Sequence, residues 1–351
     1  MKIMLMGYYG YRNIGDDLFV KHLTNFFSKK EAVEKIFLIC NDNYYEISSK
    51  KISLFRHFQL SKIKRLFLLW QSDYVAWGGG TLDLKSVPKN LSTLQTLAKL
   101  LGKRFCFLGI GLESMNAGEK QDVTNFFKQA DLLYLRDNNS YELVKEKLKF
   151  TNSLCLGGDL AFLDLSYYEE FIHRNKTANS LSNISFSGKH WWGDSRAEFY
   201  AQQLIPLIEK YNSIIHLLPG HMGSEQNDNK FHELLKKYLP AQNCQLHSWD
   251  KPEDFLQILS QMDFHFGNRL HSIILADILG VPNIGISNYP SKISNYINKT
   301  EMLSRERIAD FMELLTIERI EKIFQEYKRP EEFIINESKT SQAGLERIFH
   351  I

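Results

Sequence analysis

Short apolar runs alternate with amphipathic helical stretches from one end of the chain to the other, and few folds accept that rhythm. In the first half the runs fall at 2–6, 35–40, 73–77, 104–109, 131–135 and 153–156, with helical patterns such as 17–27 and 91–101 between them. In the second half they fall at 183–187, 213–218, 243–247, 263–267 and 283–287. A strand that is apolar throughout is buried on both faces, which is the mark of a parallel sheet wrapped by helices. The pair Gly157-Gly158 and the polar run 174–182 interrupt the rhythm, so the linker is placed there. The expected domains are 1–173 and 183–316, followed by a charged helical tail over 317–351 without a further strand. The expected fold class is α/β, with two Rossmann-like domains facing across a cleft and ligands at the carboxyl ends of the strands.

Composition narrows the function classes. At 351 residues the chain is long enough for two cores. Its 43 Lys and Arg against 41 Asp and Glu leave a net charge of +2. No basic run alternates with aromatics on a strand pattern, so no nucleic-acid partner is expected. Cys40, Cys106, Cys155 and Cys244 are scattered without metal-ligand spacing, which suits small core residues in a reducing cytoplasmic setting. No metal is expected. The opening Met1-Lys2-Ile3-Met4-Leu5-Met6-Gly7 is too short for a signal-peptide core, and no apolar run approaches a spanning length, so a soluble or peripheral protein is expected.

The stretch 7–17 leaves the first strand, bends through Gly7, Gly10 and Gly15, and enters a helix whose first turn carries Asp16 and Asp17. A carboxylate there can simply cap the helix and complement its dipole. The same place also meets an anion or a sugar hydroxyl. The spacing departs from Gly-x-Gly-x-x-Gly and no acid closes the second strand, so a nicotinamide cofactor is not expected. Gly78-Gly79-Gly80-Thr81 follows another strand, and Gly109-Ile110-Gly111 the next. Glycines in series cost entropy, and a backbone that approaches a ligand closely is one reason to accept that cost. Gly10, Asn13, Gly15, Gly79, Gly80 and Thr81 are therefore the substrate-facing candidates.

In the second half, Gly267-Asn268-Arg269-Leu270-His271-Ser272 follows a strand and opens a helix. Arg269 in a first turn works against the helix dipole, so stability explains it poorly. A phosphate or carboxylate explains it well, because a guanidinium can grip either with two bonds. His271 beside such an anion suits a general acid. Lys189, His190, His221 and Lys292 follow neighbouring strands as further cations, and Trp191 and Trp192 can stack on a sugar or pack the hinge.

Together these segments resemble the polysaccharide pyruvyltransferase family. The resemblance rests on 7–17, 78–81, 109–111, Arg136-Asp137 with Ser140, and Asp159 with Ala161-Phe162. It continues through His221, Arg269-Leu270-His271-Ser272, Gly280-Val281-Pro282 and the segment ending at Lys292. It implies a GT-B-like fold and transfer of pyruvate from phosphoenolpyruvate onto two saccharide hydroxyls as a cyclic ketal. No tightly bound cofactor is implied, phosphoenolpyruvate being the donor substrate. The acceptor falls to the first domain and the donor to the second. Arg269, Lys292, Lys189, His221, Asn268 and Ser272 would hold the donor, His271 would be the acid, and Asp16 would orient or deprotonate the acceptor. Family members often carry an arginine near Lys189, and a lysine cannot form the same fork. The rival readings are a GT-B glycosyltransferase using a nucleotide sugar and a non-catalytic glycan-binding partner. The first usually needs an acid in the second domain for the ribose, and the helix after Gly267 has none before Asp277.

One more stretch carries a partner. Residues 50–69 hold Lys50, Lys51, Arg56, Lys62, Lys64 and Arg65 without an acid, interleaved with leucines and phenylalanines. Such a surface can rest on anionic lipid and would suit a lipid-linked saccharide; equally it can be a solvated helix with a stripe facing the core.

Overall fold

The computed structural model describes every residue except 43, 45, 46, 48, 84–87, 114–119, 150–152 and 173–180. The chain divides into two compact units. The first comprises Met1–Gly10, Asp16–Leu165 and Ile335–Ile351; the second comprises Tyr11–Gly15 and Ser166–Ile334.

In the first unit the strands are β1 (Lys2–Met6), β2 (Lys35–Cys40), β3 (Ile52–Arg56), β4 (Tyr74–Gly78), β5 (Thr81–Asp83), β6 (Arg104–Glu113), β7 (Leu132–Leu135) and β8 (Leu154–Leu156). All ladders are parallel, in the order β3-β2-β1-β4-β6-β7-β8, with β5 beside the end of β6. In the second they are β9 (Asn183–Ser187), β10 (Ile214–Leu217), β11 (Cys244–Leu246), β12 (Phe264–Gly267), β13 (Asn283–Ile286) and β14 (Ile308–Ala309), in the order β11-β10-β9-β12-β13-β14. Each sheet thus starts in the middle, grows to one side, and reverses. The reversal lies between β1 and β4 in one unit and between β9 and β12 in the other. Ligands of open parallel sheets meet the strand ends at such a reversal.

The cores follow from the apolar strands. The helix Ile14–Lys29 buries Leu18, Phe19, Val20, Leu23 and Phe27. Phe105, Phe107, Phe126 and Phe127 cluster with centroids 5.2–5.5 Å apart, separations that favour edge-on contact between aromatic quadrupoles. In the second unit Trp192 stacks on Tyr200 at 5.3 Å, and Phe186 meets Tyr200 at a tilt, with centroids 5.1 Å apart. The helix Leu270–Leu279 is buried almost all round. Its one acid, Asp277, takes the Arg307 guanidinium at 2.6 and 2.9 Å and accepts from Asn283, Tyr296 and Tyr327. A fully bonded buried pair of this kind is tolerable; a half-bonded one is not.

Three boundaries differ from expectation. β3, β5 and β14 are additional strands; β3 is a half-buried edge strand between Lys50-Lys51 and its own last residue Arg56, and the other two are very short. The units divide at Leu165/Ser166, because Tyr168 is buried and Tyr167 donates to Glu253 at 2.6 Å within the second unit. Of the proposed linker 174–182, positions 174–180 lie outside the described residues. The tail is shared out: the helix Ile317–Glu326 buries Ile320 and Ile323 in the second core, while Ile335–Ile351 belongs to the first unit. There Tyr134 meets Ser341 at 3.2 Å and Phe349 packs on Phe26 and Phe27. Among the described residues no helix is long and apolar enough to cross a membrane.

Burial lowers the pKa of His22, His221 and His232 to about 4 and of His265 to about 3. Each is held neutral in the fold, whereas the unfolded chain takes up a proton near 6.5. Their contribution is complete above that value and is lost as pH falls from about 6.5 toward 4, at up to about 1.4 kcal/mol per histidine per pH unit. Denaturant unfolding at pH 7.5 and 5.0 should therefore give a stability several kcal/mol lower at the acid value. A flat profile would refute neutral burial.

Candidate active site

At the reversal of the second sheet, the Asn268 amide donates to the Ser187 carbonyl at 2.9 Å, tying the ends of β12 and β9. Arg269 then occupies the N-cap of the helix Leu270–Leu279 in an extended conformation. Its Nε donates to Asp228 Oδ2 at 3.0 Å and its Nη2 to Oδ1 at 2.5 Å. Asp228 is fully buried and also accepts the amides of His221 at 2.9 Å and His190 at 3.1 Å. The sequence assigned the Arg269 fork to a ligand; two of its nitrogens instead serve Asp228. Among the described residues Nη1 takes part in no hydrogen bond. Around His190, Arg269, Lys230 and Lys189 outnumber the single carboxylate, so the neighbourhood stays positive.

Lys189 Nζ stands 4.8 Å from the Trp191 ring centroid, and the Arg269 guanidinium 5.8 Å from it. Trp191 is largely exposed, so its face holds two cations at the rim of the site. Beside it opens a cavity of about 950 Å³ lined by Trp191, Trp192, Arg196, Asn288, Asp310 and Phe311. Ser187 Oγ and Asn268 Oδ1 are buried and have no hydrogen-bond partner among the described residues. Each such group costs about 1–3 kcal/mol unless something supplies the bond. Ser272, expected to face the donor, is already engaged: its hydroxyl donates to the Arg269 carbonyl at 2.8 Å and meets His265 Nε2 at 2.9 Å. Lys292 is exposed in the first turn of the helix Lys292–Thr300, which Ser291 caps.

The segment Tyr11–Gly15 belongs to this unit although it follows β1 in sequence. The Ile14 amide donates to the Gly220 carbonyl at 3.0 Å, and that of Met222 to Arg12 at 2.9 Å. His221 Nε2 meets the Tyr11 carbonyl at 3.1 Å. Asn13 Oδ1 accepts the Gly15 amide at 3.2 Å, so Asn13 caps the turn. His221 was expected to add positive charge. Burial, and then the Arg269 charge, hold it neutral, and it acts as a strut for this segment. Gly15 lies under the His271 ring: a Cβ on it would come within 1.9 Å of Nδ1. The glycine thereby makes room for the imidazole.

In the first unit the reversal is framed by the loops after β1 and β4. Asp17 is bonded to the Gly10 amide at 3.3 Å and to the Tyr44 hydroxyl. Asp16 is buried, with its Oδ1 3.3 Å from where a Cβ on Gly80 would sit. Gly79 is required for another reason than ligand approach. Its φ is +73°, and a Cβ would strike the Phe19 ring at 2.2 Å. Gly10, at φ +80°, is pressed against the Asp42 backbone. Thr81 Oγ1 accepts from Arg136 Nη2 at 3.0 Å, and Arg136 pairs with Asp159 at 3.2 Å. The glycine run is thus largely a packing device for the helix Ile14–Lys29 on the sheet, and Gly80 with Asp16 is its polar face. Among the described residues no group of three or more His, Cys, Asp or Glu is placed to hold a metal ion.

The two like-wound parallel sheets define a GT-B-type fold. A model of the polysaccharide pyruvyl transferase family matches residues 13–289, and the chain belongs to that family. No curated protein sequence matches it significantly. Among solved structures it is similar to UDP-GlcNAc 2-epimerase from Methanocaldococcus jannaschii (TM-score 0.64, 11% identity, all of both chains covered). The UDP-GlcNAc-bound 2-epimerase of Neisseria meningitidis gives TM-score 0.62 at 11% identity, again over both whole chains. The lipopolysaccharide outer core galactosyltransferase WaaB gives 0.50 at 12%, covering 100% of this chain and 99% of that one. At such identities the likeness is one of fold.

Asp228 was the residue the sequence did not point to. It stands far from Arg269 in the chain and ends no strand; its flank Asn227-Asp228-Asn229 reads as a polar loop. Asp228→Ala should lower unfolding free energy by about 3–5 kcal/mol, the usual cost of stranding a buried charge, and urea titration reads it directly. Gly15→Ala should leave the unfolding midpoint nearly unchanged while moving the His271 ring resonances in an NMR spectrum. Unchanged resonances would show that the ring does not rest on Gly15.

Proposed function

We propose that the chain transfers the pyruvyl group of phosphoenolpyruvate to two hydroxyls of a saccharide, forming a cyclic ketal and releasing phosphate. The carrying observation is the positive, amide-rich head of the helix Leu270–Leu279, where Arg269 is locked by Asp228 beside His271. Phosphoenolpyruvate brings a phosphate and a carboxylate, and preformed donors at a fixed anion site are where electrostatic catalysis gains most. Arg269 Nη1, Lys189 and Lys292 supply charge, and Asn268 with the helix amides supplies polar contacts. His271 protonates the methylene carbon of the donor, which leaves the adjacent carbon electrophilic. One sugar hydroxyl adds there, the carbon–oxygen bond to phosphate breaks, and the second hydroxyl closes the ketal. Both hydroxyl protons leave, one replacing that given by His271 and one going to phosphate or water. Asp16 is assigned the acceptor hydroxyl, with Gly80 and Thr81 beside it. The reading as a nucleotide-sugar transferase is weakened by Asp277, since the helix's only carboxylate is buried on Arg307 and is not offered to a ribose.

Phosphate release from phosphoenolpyruvate should depend on a saccharide acceptor, and His271→Ala should lower the rate by about 10²–10⁴, the usual worth of a general acid. Lys189→Arg, with its planar fork, should tighten phosphoenolpyruvate binding in calorimetry. Turnover of a nucleotide sugar without phosphoenolpyruvate binding would replace this reading with glycosyl transfer.

A further inference from the structure

Residues 50–71 fold into β3, a short 3-10 turn at His57–Gln59 and the helix Lys62–Gln71. The helix has two apolar faces. Leu68 and Leu69 are buried against the sheet, with Leu60 just before the helix. Ile63, Leu66, Phe67 and Trp70 recur at the i, i+3, i+4, i+7 spacing of one helical face. They face outward, 81%, 46%, 50% and 62% exposed. Phe58, in the turn before, is exposed as well, and the Phe67 and Trp70 rings lie 6.0 Å apart. The stripe that would ordinarily seek a core is therefore the one turned to solvent.

Charge indicates what covers it. Lys62 and Lys64 are exposed and flank the stripe on either side. Lys64 extends over Phe55 at 5.3 Å, and Arg65 bonds the His57 carbonyl at 2.8 Å. From 47 to 72 the chain contains no Asp or Glu, against six cations. A protein partner would leave those cations uncompensated unless it were acidic. An anionic lipid surface takes both features together, with headgroups for the lysines and the acyl boundary for the apolar face. A tryptophan on that face suits the interfacial zone.

We propose that the helix Lys62–Gln71 is a peripheral membrane-docking element that seats Ile63, Leu66, Phe67 and Trp70 in the interface of an anionic bilayer. Docking needs no turnover, so it stands or falls separately from the assignment of the donor. Vesicle flotation tests it, comparing phosphatidylcholine alone with phosphatidylcholine containing one third phosphatidylglycerol. The full chain should float with the anionic vesicles, less at high salt, and not with the neutral ones. Trp70 emission, taken as the difference from Trp70→Phe, should shift to the blue on binding. Lys62→Glu with Lys64→Glu should weaken binding more than about twentyfold, since each lost cation is worth roughly fivefold. Ile63→Ser with Phe67→Ser should abolish flotation with an unchanged unfolding midpoint, because both side chains are at the surface. Binding indifferent to lipid charge, or undiminished by either pair, would overturn the proposal. So would a concentration-dependent dimer lost in Ile63→Ser/Phe67→Ser without flotation of the parent, which would assign the face to a second copy.

Discussion

Asp228 carries more of the second unit's site than its single charge suggests. A carboxylate removed from water must be met by donors on nearly every lone pair, and here those donors come from three separate places in the chain. The amide of His221 fixes the loop after β10, the amide of His190 fixes the turn after β9, and the Arg269 fork fixes the entrance to the helix after β12. Because the loop after β10 also receives Tyr11–Gly15, the glycine beneath His271 is positioned through the same anion. The arginine is thereby preorganised: its orientation is set before any ligand arrives, which favours tight recognition at low entropic cost.

The sequence revealed most of the architecture because parallel strands buried on both faces cannot hide their composition. Runs such as Lys35–Cys40 are apolar without interruption. What stayed illegible was short, marginal or distant. β14 is two residues long, and β3 sits among cations that serve a surface rather than the sheet. For the site, local chemistry drew attention to 268–272, but a sequence pattern states which groups are present and not which already have partners. Ser272 and the Arg269 fork are engaged internally, His221 is neutral, and Gly79 answers to Phe19. Except for Ser272, whose partners Arg269 and His265 are near in sequence, each of these depends on a residue far away in the chain.

Both sheets reach the same winding order from unlike sequences, and each brings different chemistry to its reversal. In the first unit a buried carboxylate and a glycine backbone suit hydroxyl groups. In the second, cations and helix amides suit anions. The family's glycine motifs accordingly have two physical origins: some clear space for core side chains, and Gly15 clears space for a catalytic candidate.

The two units are not consecutive in the chain, and this bears on how the protein is made. The first contains the last seventeen residues, Ile335–Ile351, whose Phe349 and Ser341 meet Phe26, Phe27 and Tyr134. Synthesis proceeds at roughly 5–20 residues per second, so residues up to Leu165 leave the ribosome on the order of ten seconds or more before their closing segment exists. Through that interval the Phe27 and Tyr134 side chains lack their final cover. The nascent chain carries an unfinished aromatic surface until then, and its first 165 residues do not make up a complete unit.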